Sequence, residues 1–376
     1  MTTVADDLRT DGASPVADAG LARFRGTAVA LRIPVVGAFD VTYRCNLRCT
    51  HCYVGHRVAE SAALAGELGT AELVTLLEQA AAAGCLEIVI SGGEPLLRPD
   101  FVTVYRAARE LGMLVTVFTN ATALDDEHVT VLAELPPHKV EVSLYGLTAA
   151  TYERVTGVAG SFRRAIAGID RLQEAGIRLG LKTMILRDNA AEVPALEEYA
   201  LRRGATFRLD PLVTPRLDGD PAPLATRLAP EAGAALELTR ADRRREYAEF
   251  AEKRRTLSPG TGDRLYRCSA GITAFHVDPR GYLSACLMST ETPHDAVALG
   301  FEAAWRSATE QIAALRIPAD SRCVTCADAP TCGYCPGLFA LEAGSPEQPA
   351  EHVCTLAMCR TEILTSTPEG SDDGRS

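Results

Sequence analysis

The chain has 376 residues, enough to bury a large core and to form more than one structural unit. Its composition, 47% hydrophobic and 23% charged, is typical of a globular protein and excludes an intrinsically disordered one. A formal net charge of −11 would repel phosphate backbones, so we expect no nucleic-acid partner, and no apolar run is long enough to predict a membrane span.

The composition of the two ends of the chain indicates flexible tails outside the folded core. Residues 1–30 and 361–376 are predicted to be disordered, because their small and polar residues cannot bury enough apolar surface to offset the entropy of ordering. The first residues also include acidic side chains and lack the apolar core of an export signal. We therefore expect a cytoplasmic protein in a reducing compartment, where twelve cysteines indicate metal binding before disulfides.

Between residues 31 and 210, apolar strands alternate with amphipathic helices. The predicted strands are Val35–Thr42, Leu86–Ile90, Met113–Phe118, His138–Leu144, Ile177–Leu186 and Ala205–Leu209. The predicted helices between them are Thr70–Ala83, Pro99–Gly112, Asp125–Leu135, Ser161–Gly176 and Pro194–Gly204. Regular alternation predicts parallel βαβ units in an α/β fold. Six units rather than eight would form a partial (β/α)6 TIM-like barrel, open on one side.

Three cysteines follow the first predicted strand with the spacing C-x3-C-x2-C, namely Cys45, Cys49 and Cys52. Three thiolates are one short of the four that a four-iron cluster takes, so such a cluster would keep one iron open to an outside ligand. The alternative is a structural zinc site, in which His51 or His56 would complete a Cys3His shell.

Further candidates follow the later strands, where functional residues gather in a parallel barrel. Gly92 and Gly93 follow the second strand and would let the backbone approach a ligand closely, while Glu94 could accept hydrogen bonds from an ammonium group. In isolation, the same residues would suit a plain Gly-Gly turn. Cys85, at the start of that strand, is interpreted as a small buried core residue.

The remaining barrel candidates are weaker. Asn120 follows the third strand, and Ser143 with Tyr145 ends the fourth. Arg154 could hold a carboxylate with two parallel hydrogen bonds, or could be a charge on a solvated helix face. Lys182 lies inside the fifth strand and points either into the barrel or out towards a helix.

A second group of cysteines lies beyond residue 262. Cys268 is followed by twelve residues, Gly281, four more residues and Cys286. The later members are Cys323-x2-Cys326-x5-Cys332-x2-Cys335, then Cys354 and Cys359. Paired C-x2-C motifs also suit a zinc ribbon. Residues 211–262 are predicted to be a linker with a helix from Pro230 to about Arg255, and residues 263–360 a small cysteine-rich domain.

The motif C-x3-C-x2-C followed by the aromatic Tyr53, with a GGE motif one βα unit later, resembles the signature of the radical S-adenosylmethionine (SAM) enzymes. The resemblance spans residues 35 to 360 and argues against the zinc site. It implies a [4Fe-4S] cluster on Cys45, Cys49 and Cys52, whose open iron binds SAM and whose electron cleaves it to a 5′-deoxyadenosyl radical. The implied SAM-binding residues are Tyr53, Gly92, Gly93, Glu94, Asn120, Ser143 and Arg154.

The second group of cysteines resembles the SPASM extension of this family, which carries two auxiliary [4Fe-4S] clusters. By that resemblance the outer cluster would take Cys323, Cys326, Cys332 and Cys354, and the inner one Cys268, Cys286 and Cys335. Cys335 comes one residue earlier than in the family pattern, and no extra cysteine closely follows Cys268. The fourth position of the inner cluster is therefore open, or filled by Cys359, His276 or Asp278.

Relatives with this architecture mostly modify peptides or proteins. The resemblance therefore implies an oxidoreductase that matures a ribosomally synthesised peptide by hydrogen abstraction, through crosslinking or another oxidative change. The alternatives are a small molecule or haem-type cofactor precursor, sulfatase-type protein maturation, and a zinc scaffold without enzymatic activity. The expected partners are a precursor peptide, an electron donor such as flavodoxin or ferredoxin, and a separate peptide-recognition protein, since the N-terminal stretch is too short for that domain. No side chain is identified as a general acid or base.

Overall fold

The computed structural model describes residues 15–55, 66–257, 263–289 and 291–366. His56, one of the two candidate zinc ligands, lies outside these ranges, as do residues 1–14 and 367–376 of the predicted tails. Within the described ranges no helix combines the length and the apolar character that crossing a membrane would require.

In the described part of the chain, nine strands form one sheet in the order β6-β5-β4-β3-β2-β1-β7-β8-β9, and β1 to β6 are parallel. The first six are β1 Val36–Thr42, β2 Glu87–Gly92, β3 Leu114–Thr119, β4 Lys139–Ser143, β5 Leu179–Met184 and β6 Thr206–Asp210. The α/β fold with an open partial barrel is confirmed, because β6 ends the sheet and pairs with β5 alone among the described strands.

The helices follow the strands in the predicted alternation. Those of the barrel are α1 Pro15–Leu31, α2 Thr70–Ala82, α3 Phe101–Glu110, α4 Asp126–Glu134, α5 Ala149–Thr156, α6 Ser161–Glu174 and α7 Val193–Arg202. Those that follow are α8 Pro230–Glu237, α9 Ala241–Leu257, α10 Ala296–Leu299, α11 Phe301–Ala314, α12 Pro336–Ala343 and α13 Glu351–Ser366.

Each barrel strand alternates between an apolar face and a polar one. On β4 and β5, Val140, Val142 and Leu181 belong to the main hydrophobic core. Their neighbours Glu141 and Lys182 point the other way, since successive side chains of a strand face opposite sides of a sheet. On these two strands the barrel interior is therefore lined by polar residues, and the core lies between the sheet and its helices.

The sheet continues into the cysteine-rich segment, which the sequence patterns did not predict. Strand β7 (Ala274–Val277) pairs in parallel with β1, and the short strands β8 (Tyr282–Ser284) and β9 (His294–Asp295) follow in antiparallel order. Phe275 of β7 packs so closely on Gly37 of β1 that a Cβ there would lie 2.5 Å from its ring. The barrel and the segment after residue 262 thus share one sheet.

Three expectations for the ends and the linker were wrong. Residues 15–30 of the predicted N-terminal tail belong to helix α1, and residues 361–366 of the C-terminal tail belong to α13. The predicted linker helix is two helices, α8 and α9. Packing stabilises the terminal helices, because Ala28 is buried in α1 and Val353 with Leu356 in α13. Tertiary contacts of this kind override a weak local pattern.

A buried ion pair links α13, which contains Arg360, to α8, which ends at Glu237. Arg360 donates to both carboxylate oxygens of Glu237, over 2.7 Å from Nε and 2.9 Å from Nη2. The two side chains are 4% and 11% exposed. Arg360 also donates to the carbonyl of Thr331, and its guanidinium lies 5.4 Å from the centre of the Tyr247 ring. Both charges are therefore satisfied by partners rather than by water.

Candidate active site

The cysteine loop follows β1 and is held by its backbone. Arg48 and Thr50 donate their amides to the carbonyls of Thr156 and Val155 at the end of α5, over 2.8 and 2.9 Å. Within the loop, the Cys52 amide donates to the Cys49 carbonyl over 3.1 Å. The thiols of Cys45, Cys49 and Cys52 form no disulfides and are half-buried.

Burial makes two of these thiols, those of Cys45 and Cys49, costly to ionise without a metal. It raises the pKa of Cys45 to about 12, and it raises the pKa of Cys49 well above its usual value. The neighbouring cysteines add to both shifts, since clustered thiolates repel each other. Thiolates are the form that binds iron, and a bound cation would stabilise them here. The donor set therefore fits a cluster held by three cysteines.

Among the described residues, no three His, Cys, Asp or Glu side chains are placed so that they could hold one metal ion. A four-iron cluster makes a different demand, because each thiolate binds its own iron atom.

The GGE loop after β2 lies directly against the cysteine loop. Gly93 donates its amide to the Thr42 carbonyl over 2.8 Å, and Glu94 donates to the Arg44 carbonyl over 2.7 Å. A Cβ on Gly93 would lie 2.6 Å from the Tyr43 carbonyl oxygen and closer still to that of Arg44. The sequence interpretation gave these glycines a close approach to a ligand. In the structure, the close approach is between two backbone segments.

Gly93→Ala tests this contact. We expect a loss of about 3 kcal/mol in the free energy of unfolding, because the added methyl group meets backbone atoms that cannot rotate away. Gly26→Ala on α1 is the matched control, since its Cβ would meet nothing within 4 Å. That change should be neutral or should stabilise by up to about 1 kcal/mol. Chemical unfolding of both variants measures the difference, and equal stabilities would contradict the packing argument.

Glu94 is fully buried and connects the ends of β2 and β3. Its Oε1 accepts hydrogen bonds from Thr119 Oγ1 over 2.6 Å and from the Leu96 amide, and Oε2 accepts one from the Asn120 amide over 2.7 Å. Burial raises the pKa of Glu94 to about 7, although these hydrogen bonds act in the opposite direction. Oε2 keeps one free acceptor position.

Asn120 links the loop after β3 to the cysteine loop. Its Nδ2 donates to Asn46 Oδ1 over 3.0 Å and lies 4.0 Å from Cys45 Sγ. Asn46 in turn donates to Thr122 Oγ1 over 2.9 Å. Three of the predicted loops therefore meet at one edge of the sheet, those after β1, β2 and β3.

The other predicted SAM-binding residues differ in their surroundings. The Tyr53 hydroxyl hydrogen-bonds to Ser91, and that of Tyr145 to Ser143; burial raises the pKa of both tyrosines. Arg154 lies further out on α5, half-exposed, with its Nε 3.4 Å from a carboxylate oxygen of Asp188. Contact between these residues and SAM stays a prediction.

Lys182 points into the barrel, which resolves the two orientations that the sequence left open. Its Nζ lies 3.3 Å from the centre of the Phe118 ring, on the polar face of the sheet. Sequence reasoning missed its interior neighbours Glu141 and Arg208. It also missed Asp40, whose Oδ2 lies 3.1 Å from Nε2 of His276, a residue named from the sequence only as a candidate cluster ligand. The alternation within β1, β4 and β6 was the signal that could have identified them.

The later cysteines fall into two neighbourhoods. Burial raises the pKa of Cys332 to about 12, with Cys354, Cys323 and Cys326 close enough to add to the shift. Burial likewise raises the pKa of Cys286 to about 12, and there the neighbours that add to it are Cys335 and Cys268. The structure thus brings together the residues that the resemblance assigns to each auxiliary cluster. Their role as ligands stays a prediction.

The three candidates for the fourth inner position have other partners. Cys359 has Glu231 and Glu362 as its charged neighbours. Asp278 accepts hydrogen bonds from the backbone of Arg280 and Tyr282. His276 pairs with Asp40, and Ser284 Oγ lies between its Nδ1 and the carbonyl of Cys286.

A model of the radical SAM superfamily matches residues 39–200 of the chain. Fe-coproporphyrin III synthase of Methanosarcina barkeri is 37% identical over 47% of this chain and 44% of its own. PqqA peptide cyclase of Gluconobacter oxydans is 32% identical over 44% of this chain and 46% of its own. Mycofactocin maturase MftC of Mycobacterium ulcerans is 28% identical over 74% of this chain and 76% of its own length. The chain thus spans under half the length of the first two relatives.

The fold is also shared with a solved structure. Streptococcus suis SuiB bound to precursor peptide SuiA superposes with a TM-score of 0.65 at 19% identity, over 91% of this chain and 81% of that one.

Proposed function

We propose that the protein is a radical SAM enzyme, which cleaves SAM reductively and uses the resulting 5′-deoxyadenosyl radical to mature a ribosomally synthesised peptide oxidatively. The match of residues 39–200 to the radical SAM superfamily supports this proposal. The observation that carries the proposal is the junction of the three loops after β1, β2 and β3. It places three thiols, a buried carboxylate and Asn120 at the same edge of the sheet.

The chain's own residues would have distinct tasks at that edge. A [4Fe-4S] cluster on Cys45, Cys49 and Cys52 would supply the electron for SAM cleavage. Glu94 would present its free Oε2 position to the amino group of SAM, while Asn120 keeps the cysteine loop aligned with the loop after β3. The hydroxyl of Ser143 and the guanidinium of Arg154 would orient the rest of SAM.

A peptide is the favoured substrate for two reasons. The barrel is open beside β6, so its polar interior can admit a chain from outside. In addition, the similar proteins include a PqqA peptide cyclase and a protein solved with a precursor peptide. A haem-type precursor is the second candidate, because Fe-coproporphyrin III synthase is 37% identical over 180 residues.

The proposal extends to the rest of the chain. The two neighbourhoods of later cysteines would hold auxiliary [4Fe-4S] clusters that accept the surplus electron of an oxidative reaction. Further parts of the proposal are a cytoplasmic location, a flavodoxin- or ferredoxin-type electron donor and a separate protein that presents the leader peptide.

Coexpression with candidate precursor peptides tests the proposal. We expect one peptide to change mass, by loss of two hydrogens for a crosslink, together with formation of 5′-deoxyadenosine. Mass spectrometry of each peptide, with and without the protein, makes the comparison. Unchanged masses across the panel, with formation of iron coproporphyrin from a haem-type precursor instead, would contradict the peptide proposal and favour the haem-type one.

A further inference from the structure

Two cations face each other inside the barrel. Lys182 of β5 and Arg208 of β6 are direct partners in the strand register, so their side chains leave the same face of the sheet at the same level. Like charges at directly paired positions destabilise a sheet. The arrangement therefore needs a compensating anion.

Phe118 and Glu141 compensate the pair only in part. The Phe118 ring lies 3.3 Å from Lys182 Nζ and 5.4 Å from Arg208 Cζ, and an aromatic face attracts cations. The Glu141 carboxylate is 2.9 Å from Arg208 and 3.7 Å from Lys139. One carboxylate is thus shared by two other cations, and within the described part of the chain Lys182 Nζ has no carboxylate within ion-pair distance.

The amine of Lys182 is half-buried and poorly solvated. Burial lowers its pKa to about 7, with Arg208 and Lys139 acting in the same direction and Glu141 and Glu94 in the opposite one. An added anion would reverse this shift, because it would favour the charged amine.

We propose that Lys182 and Arg208 bind a carboxylate of the substrate inside the barrel. The identity of that substrate rests on the proposed function, where it is an acidic side chain or the C-terminus of the peptide. A carboxylate of SAM has the same chemistry and is the competing source. The position favours the substrate, because β5 and β6 are the strands beside the open edge, whereas the cysteine loop follows β1.

Equilibrium binding to the anaerobically reconstituted holoenzyme distinguishes the two sources. The probes are SAM and two α-N-methylamides, that of N-acetyl-L-glutamate, whose only charge is the side-chain carboxylate, and that of N-acetyl-L-glutamine, which is uncharged. They are called acetylglutamate and acetylglutamine below, and each probe is titrated separately by calorimetry. We expect Lys182→Met to weaken binding of acetylglutamate by about tenfold or more, as for loss of one partner of an enclosed charge pair. Binding of acetylglutamine and SAM should not change. Lys182→Arg should retain the affinity.

Lys253→Met is the matched control, because it removes the same charge from an exposed position on α9. We also expect acetylglutamate to bind more weakly as the pH rises through about 7, where the free Lys182 amine loses its proton. The loss is at most about tenfold per pH unit for one proton. In Lys182→Arg this pH dependence should disappear, since a guanidinium stays charged.

Two results would overturn the proposal. If Lys182→Met weakens SAM and leaves acetylglutamate unchanged, the carboxylate belongs to SAM. If acetylglutamate does not bind, or binds no better than acetylglutamine, the two cations do not form a carboxylate site. Neither result depends on turnover, so failure here stays separate from failure of the peptide mass assay.

Discussion

Replacement of Cys49 by alanine is expected to reduce SAM cleavage to background and to lower the iron content from roughly twelve to about eight atoms per chain. Cys49 lies in the loop that α5 fixes through the amides of Arg48 and Thr50, so no other cysteine can move into its place without breaking those bonds. Iron and acid-labile sulfide analysis, with chromatographic detection of 5′-deoxyadenosine, measures both effects.

Two control variants distinguish loss of the cluster on Cys49 from a nonspecific effect of replacing a cysteine. Cys85→Ala alters a buried cysteine whose thiol donates to the Glu87 carbonyl, and it should retain all the iron. A Cys323→Ala, Cys354→Ala double variant should also lose about four irons, yet keep SAM cleavage without substrate. Full cleavage by the Cys49 variant would refute its role. About four irons in the native chain, with zinc in the remainder, would refute the auxiliary clusters.

Replacement of Arg360 by methionine is expected to cost about 3–5 kcal/mol of stability, because it leaves the Glu237 carboxylate buried without its partner. Burial already raises the pKa of Glu237 while Arg360 lowers it, so removing Arg360 should raise that pKa further. When the pKa of a carboxyl group is higher in the folded state than in the unfolded state, the protein loses stability as pH rises. The loss of unfolding free energy in the variant should therefore increase as pH rises above the usual pKa of a glutamate side chain. Chemical unfolding at several pH values measures it.

A second change should rescue this variant. The Glu237→Leu, Arg360→Met double variant has no buried charge left at the pair and should recover most of the stability. An exposed pair provides the control, because Arg202→Met on α7 removes a partner of Glu198 that is 61% exposed. That change should cost less than about 1 kcal/mol. Equal losses at the two sites would contradict the importance of burial.

Local signals were sufficient to predict the barrel. The six strands have apolar runs, the helices between them have periodic faces, and glycines such as Gly176 mark several ends. The predicted strand boundaries are within two residues of the observed ones, and the cysteine and GGE motifs lie at strand ends as expected. Parallel order then follows from the alternation.

Other features depend on contacts that sequence patterns do not contain. Strand β7 has four residues, and its pairing with β1 bridges more than 230 positions of the chain. The interior pair of Lys182 and Arg208 is determined by register, which needs both strands in place. Glycine is required at position 93 because its loop packs against the carbonyls of Tyr43 and Arg44, a tertiary contact that the local sequence does not contain.

The pairing of β7 with β1 determines how the protein can be divided. Strand β1 has hydrogen-bonded neighbours on both sides, β2 on one and β7 on the other. A chain cut before residue 263 would expose one side of β1 as an open edge, which is a template for aggregation, and would leave Asp40 without His276. A chimaera that exchanges the cysteine-rich segment with that of a relative would therefore have to exchange β1 as well.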